Sequence, residues 1–415
     1  MSEQTQISLD GFVHPLLVPL LEPPHNGNPY PLYHQYRTEH PTHYLEPGFW
    51  TFTRYHDILA VLRDDRFSND PRNNTVRELL PPGPNFDPNA VNPFDQMAGL
   101  VLLFTDPPDH TRMRNLVNKA FTRRTVEALR PHVQELVTGL LDDVADQGSM
   151  DVVHDFAYPL PALVICELMG VPVADRDLFK GLSGDVAPIL DPVMSPETMN
   201  KAFMALSQFI VYFAGLIEQR RSDPQDDLLS ALIAAEEGGD RLTTEELFAL
   251  CVLVFIAGHE TTQSLIGNGL LALLKHRDQL ELLKNDNSLM RNAIEELLRY
   301  DSPVQLTARN AKEDIDVAGV TVKEGQQVVV LLGAGNRDPE MFEDPDRLNI
   351  QRDKPQVVSF GAGVHFCLGA PLARLEAQIA FTELLKRFPN IELAAEPEWR
   401  QTLTLHGMNS LKVKF

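Results

Sequence analysis

The chain has 415 residues, 43% hydrophobic and 23% charged, a balance that supports a large buried core and excludes a disordered or fibrous chain. Its net charge of −22 excludes a nucleic-acid-binding protein, which needs a basic footprint, and suits an anionic membrane surface poorly. Three cysteines, Cys166, Cys251 and Cys367, are too few and too scattered for a disulfide framework, so a reducing cytoplasm is expected.

The polar start MSEQTQISLD carries no targeting segment, and the longest apolar run, Leu250 to Gly258, falls short of the ~20 residues that span a bilayer, so no membrane anchor is expected. Residues 30–65 contain a strand, Phe49 to Thr53, and then a helix carrying Ile58, Leu59, Val61 and Leu62. Residues 77–100 are rich in Pro, Asn and Gly and read as a long irregular loop, functional or mobile. From Asp106 to about Gly170 the period is helical, with Asp106 as a cap ahead of Pro107. Cys166 lies in an apolar run there and reads as inert core, as does Cys251 further on. Helical pattern continues over 174–236, broken around Pro188 to Pro196.

Thr243 to Glu246 forms a capping box that opens a long helix running to about His276. This helix is apolar nearly all round from Leu247 to Ala257, so it belongs in the core. A helix over Leu289 to Tyr300 follows, then short strands over 304–332, and a last helix from about Pro371 to Phe388. With no repeat or linker, the pattern predicts one domain over 1–415, mainly α with small β-sheets. Its β-rich region covers about 30–65 plus 304–332, and its helical region about 106–300 and 371–388.

The strongest chemical signal is Phe360-Gly361-Ala362-Gly363-Val364-His365-Phe366-Cys367-Leu368-Gly369. Its glycines let the backbone approach a flat cofactor closely. Cys367 stands just ahead of the last helix, whose N-terminus favours a thiolate. With no second Cys or clustered His nearby, one axial bond to haem iron suits this sulfur better than a zinc site. The plainer reading is an ordinary Gly-rich loop, but its six fixed positions would recur by chance in only on the order of one chain in a million. A dinucleotide fingerprint fails because Phe366 stands where its last glycine is required.

In the middle of the buried helix, Ala257-Gly258-His259-Glu260-Thr261-Thr262 places a glycine, an acid and two hydroxyls where each is locally unfavourable. Such a violation suggests function, with a side chain or water opening the ladder, kinking the helix and making room for a small ligand. An internal capping cluster is the plainer alternative. His259, Glu260 and Gln263 nearly match the HExxH pattern of zinc hydrolases, but the second histidine is missing.

The Cys367 segment resembles the haem-binding loop FGxGxHxCxG of the cytochromes P450, and the resemblance extends from about residue 30 to the C-terminus. It implies the P450 fold and haem b, with Cys367 as iron ligand, Phe360 and Gly361 against the macrocycle and His365 on a propionate. Residues 257–262 match the family's AGx(D/E)TT, which implies that Thr261 steadies dioxygen and its water. Glu260 then relays protons from solvent, its pKa raised by burial. His110 and Arg114 match HxxxR and, with Arg309, are implied as further propionate donors. Glu296 and Arg299 match ExxR, completed by Arg347 of DPDRL; Leu348, where many relatives carry Phe, reads as a packing variation. The loop Phe86 to Leu100 is expected over the distal face, and Leu253, Ile256, Ala257, Val304, Leu306 and Met408 as walls of an apolar pocket.

The implied activity is a monooxygenase that inserts one atom of O2 into an apolar small molecule, by hydroxylation or epoxidation. Its electrons come from an external ferredoxin or flavodoxin, with no fused reductase, and the chain acts as a monomer. The basic segment Arg112, Arg114, Lys119, Arg123 and Arg124, with Arg374, is the expected docking face. A peroxide-driven haem peroxygenase is the nearer alternative; such enzymes manage without the acid–alcohol pair, so Glu260 and Thr261 favour dioxygen.

Overall fold

The computed structural model describes residues 16–76, 99–191, 196–235 and 239–415. The loop expected over 77–100 lies outside these residues except for Gly99 and Leu100, and with it the expected cover from Phe86 onward.

One helix organises the largest of the three hydrophobic clusters formed among the described residues. It runs from Thr244 to Lys275, and its start is fixed as the sequence requires: Thr243 accepts from Glu246 N–H, and the Glu246 carboxylate accepts from Thr243 N–H at 2.8 Å. Its apolar circumference is covered by helices Pro159–Leu168, Pro196–Ser222, Met290–Tyr300 and Ala370–Arg387. Gly258 belongs to this packing, since a Cβ there would lie 2.6 Å from Ile165 Cδ1. The helix runs unbroken, and Thr261 Oγ1 and Thr262 Oγ1 donate back to the carbonyls of Ala257 and Gly258 at 2.9 and 3.3 Å. This helix and Pro196–Ser222 are both long and apolar enough to cross a membrane by length and composition, but the central one is mostly enclosed by protein.

The principal sheet has strand order β1-β2-β8-β5-β3, formed by Thr42–Leu45 (β1), Phe49–Phe52 (β2), Phe67–Ser68 (β3), Thr307–Ala311 (β5) and Gln327–Val330 (β8). Only the β2–β8 pairing is parallel. Ile315–Val317 (β6) and Val320–Val322 (β7) form a hairpin. Ser149–Asp151 (β4), Glu392–Leu393 (β9) and Lys412–Lys414 (β12) make a three-stranded sheet. Glu398–Trp399 (β10) and Met408–Ser410 (β11) pair at the C-terminal end.

The strands expected over 304–332 and both late helices stand where the patterns place them. The helix Tyr30–Glu39 and strands β4 and β9–β12 are additions. Asp106 is not a helix cap: its carboxylate accepts from Ser68 Oγ and, at 3.0 Å, from Asn69 N–H, and the helix begins at Asp109. Cys166 and Cys251 are buried, and burial pushes both thiols up, that of Cys166 to about 12.

Candidate haem site

The cysteine loop is folded back on itself. Cys367 N–H donates to the Phe360 carbonyl at 2.9 Å, and Gly361 N–H to the Val358 carbonyl at 2.8 Å. Gly361 and Gly363 both have φ near +70°, and a Cβ on Gly363 would run into the Leu62 carbonyl, so this position takes glycine alone. Helix Ala370–Arg387 begins three residues after Cys367. Burial pushes the thiol up, while the N–H groups of Gly369 and Ala370 and the charges of Arg114 and Arg374 pull the other way without prevailing. The N–H groups at this helix start favour the thiolate form, as expected, but do not by themselves offset burial. The donors are placed to stabilise one once a cation takes the proton's place.

Beside the sulfur, four basic side chains converge with little anionic compensation. The His110 and His365 rings lie 4.2 Å apart, and among the described residues both ring nitrogens of buried His110 lack a hydrogen-bond partner. Burial, then the neighbouring His110, Arg309 and Arg114, holds His365 down to about 3. Burial likewise brings Arg309 down to about 10. Arg114 bridges to the loop by donating to the Phe366 carbonyl at 2.8 Å. Orphaned donors and crowded cations are costly unless an anion joins them, so the cluster fits the two carboxylates of haem. Arg309 reaches it because strand alternation sends Thr307 and Arg309 to one face and Leu306 and Ala308 to the other.

On the central helix, Ala257 is exposed and Leu253 and Thr261 are partly accessible, while Val252, Phe255, Ile256, His259, Glu260 and Thr262 around them are buried. Glu260 is 3% exposed. One of its oxygens bonds Arg400 Nη1, and the other lies 3.4 Å from His259 Nε2. Burial alone would raise this carboxyl as expected, but His259 and Arg400 outweigh burial and hold it at about 2. The expected raised pKa is therefore corrected: Glu260 is an ionised, clamped carboxylate. His259 Nδ1 is spent on the Phe255 carbonyl at 2.8 Å, and among the described residues no group of three potential ligands gathers, so the zinc reading has no support in the geometry.

Glu296 and Arg299 are fully buried and joined by two 2.8 Å bonds. The second arginine is not Arg347, whose side chain is exposed. Arg347 contributes its carbonyl, which accepts from Arg299 Nη2 at 3.1 Å. Arg352, five residues on, brings Nε to 3.2 Å from Glu296. Leu348 is 1% exposed and packs in the main cluster.

Two expected pocket walls are also displaced. Leu306 packs with Leu17, Tyr33 and Leu403 in a separate cluster, on the opposite strand face from Arg309. Met408 lies against Gly267, six residues beyond Thr261, or about 9 Å along the helix axis. Ile256 is 5% exposed and largely core, whereas Leu253, Ala257 and Val304 keep accessible surface. The basic segment divides too. Arg112 is paired with Glu246, Arg114 is turned to the cysteine loop, and Arg374 bonds Glu295 at 3.0 Å under the Phe360 ring. Arg123 and Arg124 remain exposed. Arg400 and Arg352 are the functional residues that sequence reasoning missed. Arg352 had a weak signal in its nearness to the DPDRL segment, and Arg400 had none.

The cytochrome P450 family model matches residues 82–408. The polyketide biosynthesis cytochrome P450 PksS of Bacillus subtilis is 42% identical over 398 residues, covering 93% of this chain and 95% of that protein. The 6-deoxyerythronolide B hydroxylase of Saccharopolyspora erythraea is 40% identical, covering 90% of this chain and 92% of that protein. Among solved structures, P450BioI in complex with a hexadec-9Z-enoic acid ligated acyl carrier protein superposes with a TM-score of 0.86 at 39% identity, covering 94% of this chain and 98% of that one. A thiol loop, a cluster fit for propionates and a match across most of the chain agree: the protein belongs to the cytochrome P450 monooxygenases, whose cofactor is haem b.

Proposed function

We propose that the chain hydroxylates or epoxidises a large, mostly apolar metabolite with a polyketide or fatty-acyl skeleton, using O2 and electrons from a separate ferredoxin or flavodoxin. The observation that carries this is the Ala257–Thr261 turn, which keeps accessible surface and an acid–alcohol pair in an otherwise enclosed helix. Bound haem supplies the activation of dioxygen and the transfer of one oxygen atom. Cys367 holds the iron through its sulfur, with Gly369 and Ala370 N–H groups turned to that charge. His110, Arg114, Arg309 and His365 orient the cofactor by its carboxylates. Leu253, Ala257 and Val304 offer apolar surface to the substrate and exclude water from it. Thr261 releases its hydroxyl from the Ala257 carbonyl to hold a water, and Glu260 passes protons inward.

The relatives acting on polyketide or carrier-bound acyl chains favour a long substrate over a compact one. Electron transfer is assigned to the face carrying Arg123 and Arg124, and charge reversal of both should slow reduction in a salt-dependent way. The cell compartment is the cytoplasm, and the acting unit is one chain. A screen of macrolactones and acyl-carrier-bound fatty acids for a Soret shift tests the substrate class; no shift with either class refutes it. Product formed with peroxide alone as fast as with NAD(P)H and redox proteins would replace the dioxygen reading with the peroxygenase one.

A further inference from the structure

We propose that the outer face of helix Pro196–Ser222 is a self-recognition surface, on which two copies of this chain pair antiparallel about a two-fold axis. Each copy keeps its own cysteine loop and basic cluster, so the pairing leaves the acting unit unchanged.

Among the described residues, eight large hydrophobic side chains stand more than a third exposed, and six of them fall between Val173 and Val211. On the helix itself Met204 and Val211 are 68% and 74% exposed. The inner face of this helix, with Phe209, Phe213 and Ile217 fully enclosed, packs into the main cluster. The outer face carries Lys201, Met204, Gln208, Val211, Gly215 and Glu218, every one exposed, spaced alternately three and four residues apart. That is the spacing of a seam along which one helix meets another.

Turned end for end, the seam complements itself. Lys201 then faces Glu218 of the second copy, Met204 faces Gly215, and Gln208 faces Val211, and the two-fold axis repeats each contact. A cation meets an anion, and a long side chain meets a position without one, where a Cβ would find nothing within 4 Å. Within one copy Lys201 pairs with Glu197 at 2.9 Å and Glu218 with Arg221 at 2.6 Å, exposed pairs that contribute little alone. These four charges cancel, so on a chain of net charge −22 this is a face where two copies meet with little repulsion. Lipid is the competing occupant, since the helix is apolar enough to cross a bilayer and only 33% of its apolar window is buried. Laying this face in lipid would bury Lys201 and Glu218 unpaired with any new partner, whereas a second copy supplies one for each. The seam is about 26 Å long and one helix wide. That falls short of the roughly 800 Å² per partner of a standard stable interface, so the pairing is weak and concentration-dependent.

The test is sedimentation velocity of the haem-loaded, full-length protein at physiological ionic strength, over micromolar to millimolar concentrations.

The wild type should pass from monomer to dimer within that range, and Met204→Asp combined with Val211→Asp should stay monomeric throughout. All the substituted side chains are exposed, so the fold is retained. Lys201→Glu and Glu218→Lys should each weaken the dimer about tenfold, because the axis doubles every like-charge contact. The two together reverse both partners and should return the affinity to within about threefold of wild type. A wild type that is monomeric at every concentration, a dimer that survives both aspartates, or a double reversal no better than either single one would overturn the pairing. A wild type that stays monomeric yet co-sediments with phosphatidylcholine vesicles would assign the face to lipid instead.

Discussion

Replacing Arg352 by Ala should destabilise the protein far more than replacing Arg347. Arg352 contributes its guanidinium to a carboxylate that is 0% exposed, and it also donates to the Glu343 and Asp344 carbonyls at 2.7 and 3.2 Å. Removing one partner of a buried pair costs about 3–5 kcal/mol when the other is left uncompensated. Here Glu296 keeps two bonds from Arg299 and one from Asn349 N–H at 2.9 Å, so the expected loss is smaller, about 2 kcal/mol. Arg347→Ala retains the carbonyl that Arg299 and Arg352 use, and removes only an exposed side chain, so its cost should stay within about 0.5 kcal/mol. Urea titrations of both haem-loaded variants, followed by circular dichroism and by the Soret band, compare the two. An Arg347→Ala midpoint as low as that of Arg352→Ala would refute the assignment of the second arginine.

Gly363→Ala should lose most of its haem, because its Cβ meets the Leu62 carbonyl at a positive φ. Gly361→Ala has the same φ but its nearest neighbour is 3.9 Å away, so it should be milder, by the haem-to-protein absorbance ratio. Thr261→Ala should divert reducing equivalents to hydrogen peroxide; product per NADPH equal to wild type would remove Thr261 from proton handling. Glu260 has a folded-state pKa of about 2, below its ordinary 4.5, so its pairing stabilises the protein above about 4.5 and that stability is lost as pH falls toward 2. Urea midpoints of wild type should therefore converge on those of Glu260→Gln as the pH is lowered below 4.5. A gap that stays constant would show that the clamp contributes nothing.

What the chain disclosed by reading alone was whatever local chemistry determines. The Thr243 capping box and the apolar run after it defined the central helix, and six fixed positions defined the cysteine loop. Strands β5 to β8 were legible because alternating residues stand between turn glycines. The misses share one cause, which is that distant residues settle them. Arg400 lies 140 residues from Glu260 and follows a strand only two residues long, yet with His259 it reverses the pKa shift that burial alone implies. Arg352 rather than Arg347 meets Glu296 because the intervening turn directs the Arg347 side chain outward. Leu306 and Met408 are apolar like any pocket wall, and only the packing of each against its own cluster separates core from cavity. Arg112 and Arg374 looked available for docking until their acids, Glu246 and Glu295, came from other helices.

The most direct test is the absorption spectrum of the purified, haem-loaded protein, reduced with dithionite under carbon monoxide. Ligation by Cys367 should give the strongly red-shifted Soret maximum of a thiolate-bound iron, and Cys367→His should move it to the position of an imidazole ligand. A wild-type spectrum already at the imidazole position, or one unchanged in Cys367→His, would contradict the bond on which this account stands.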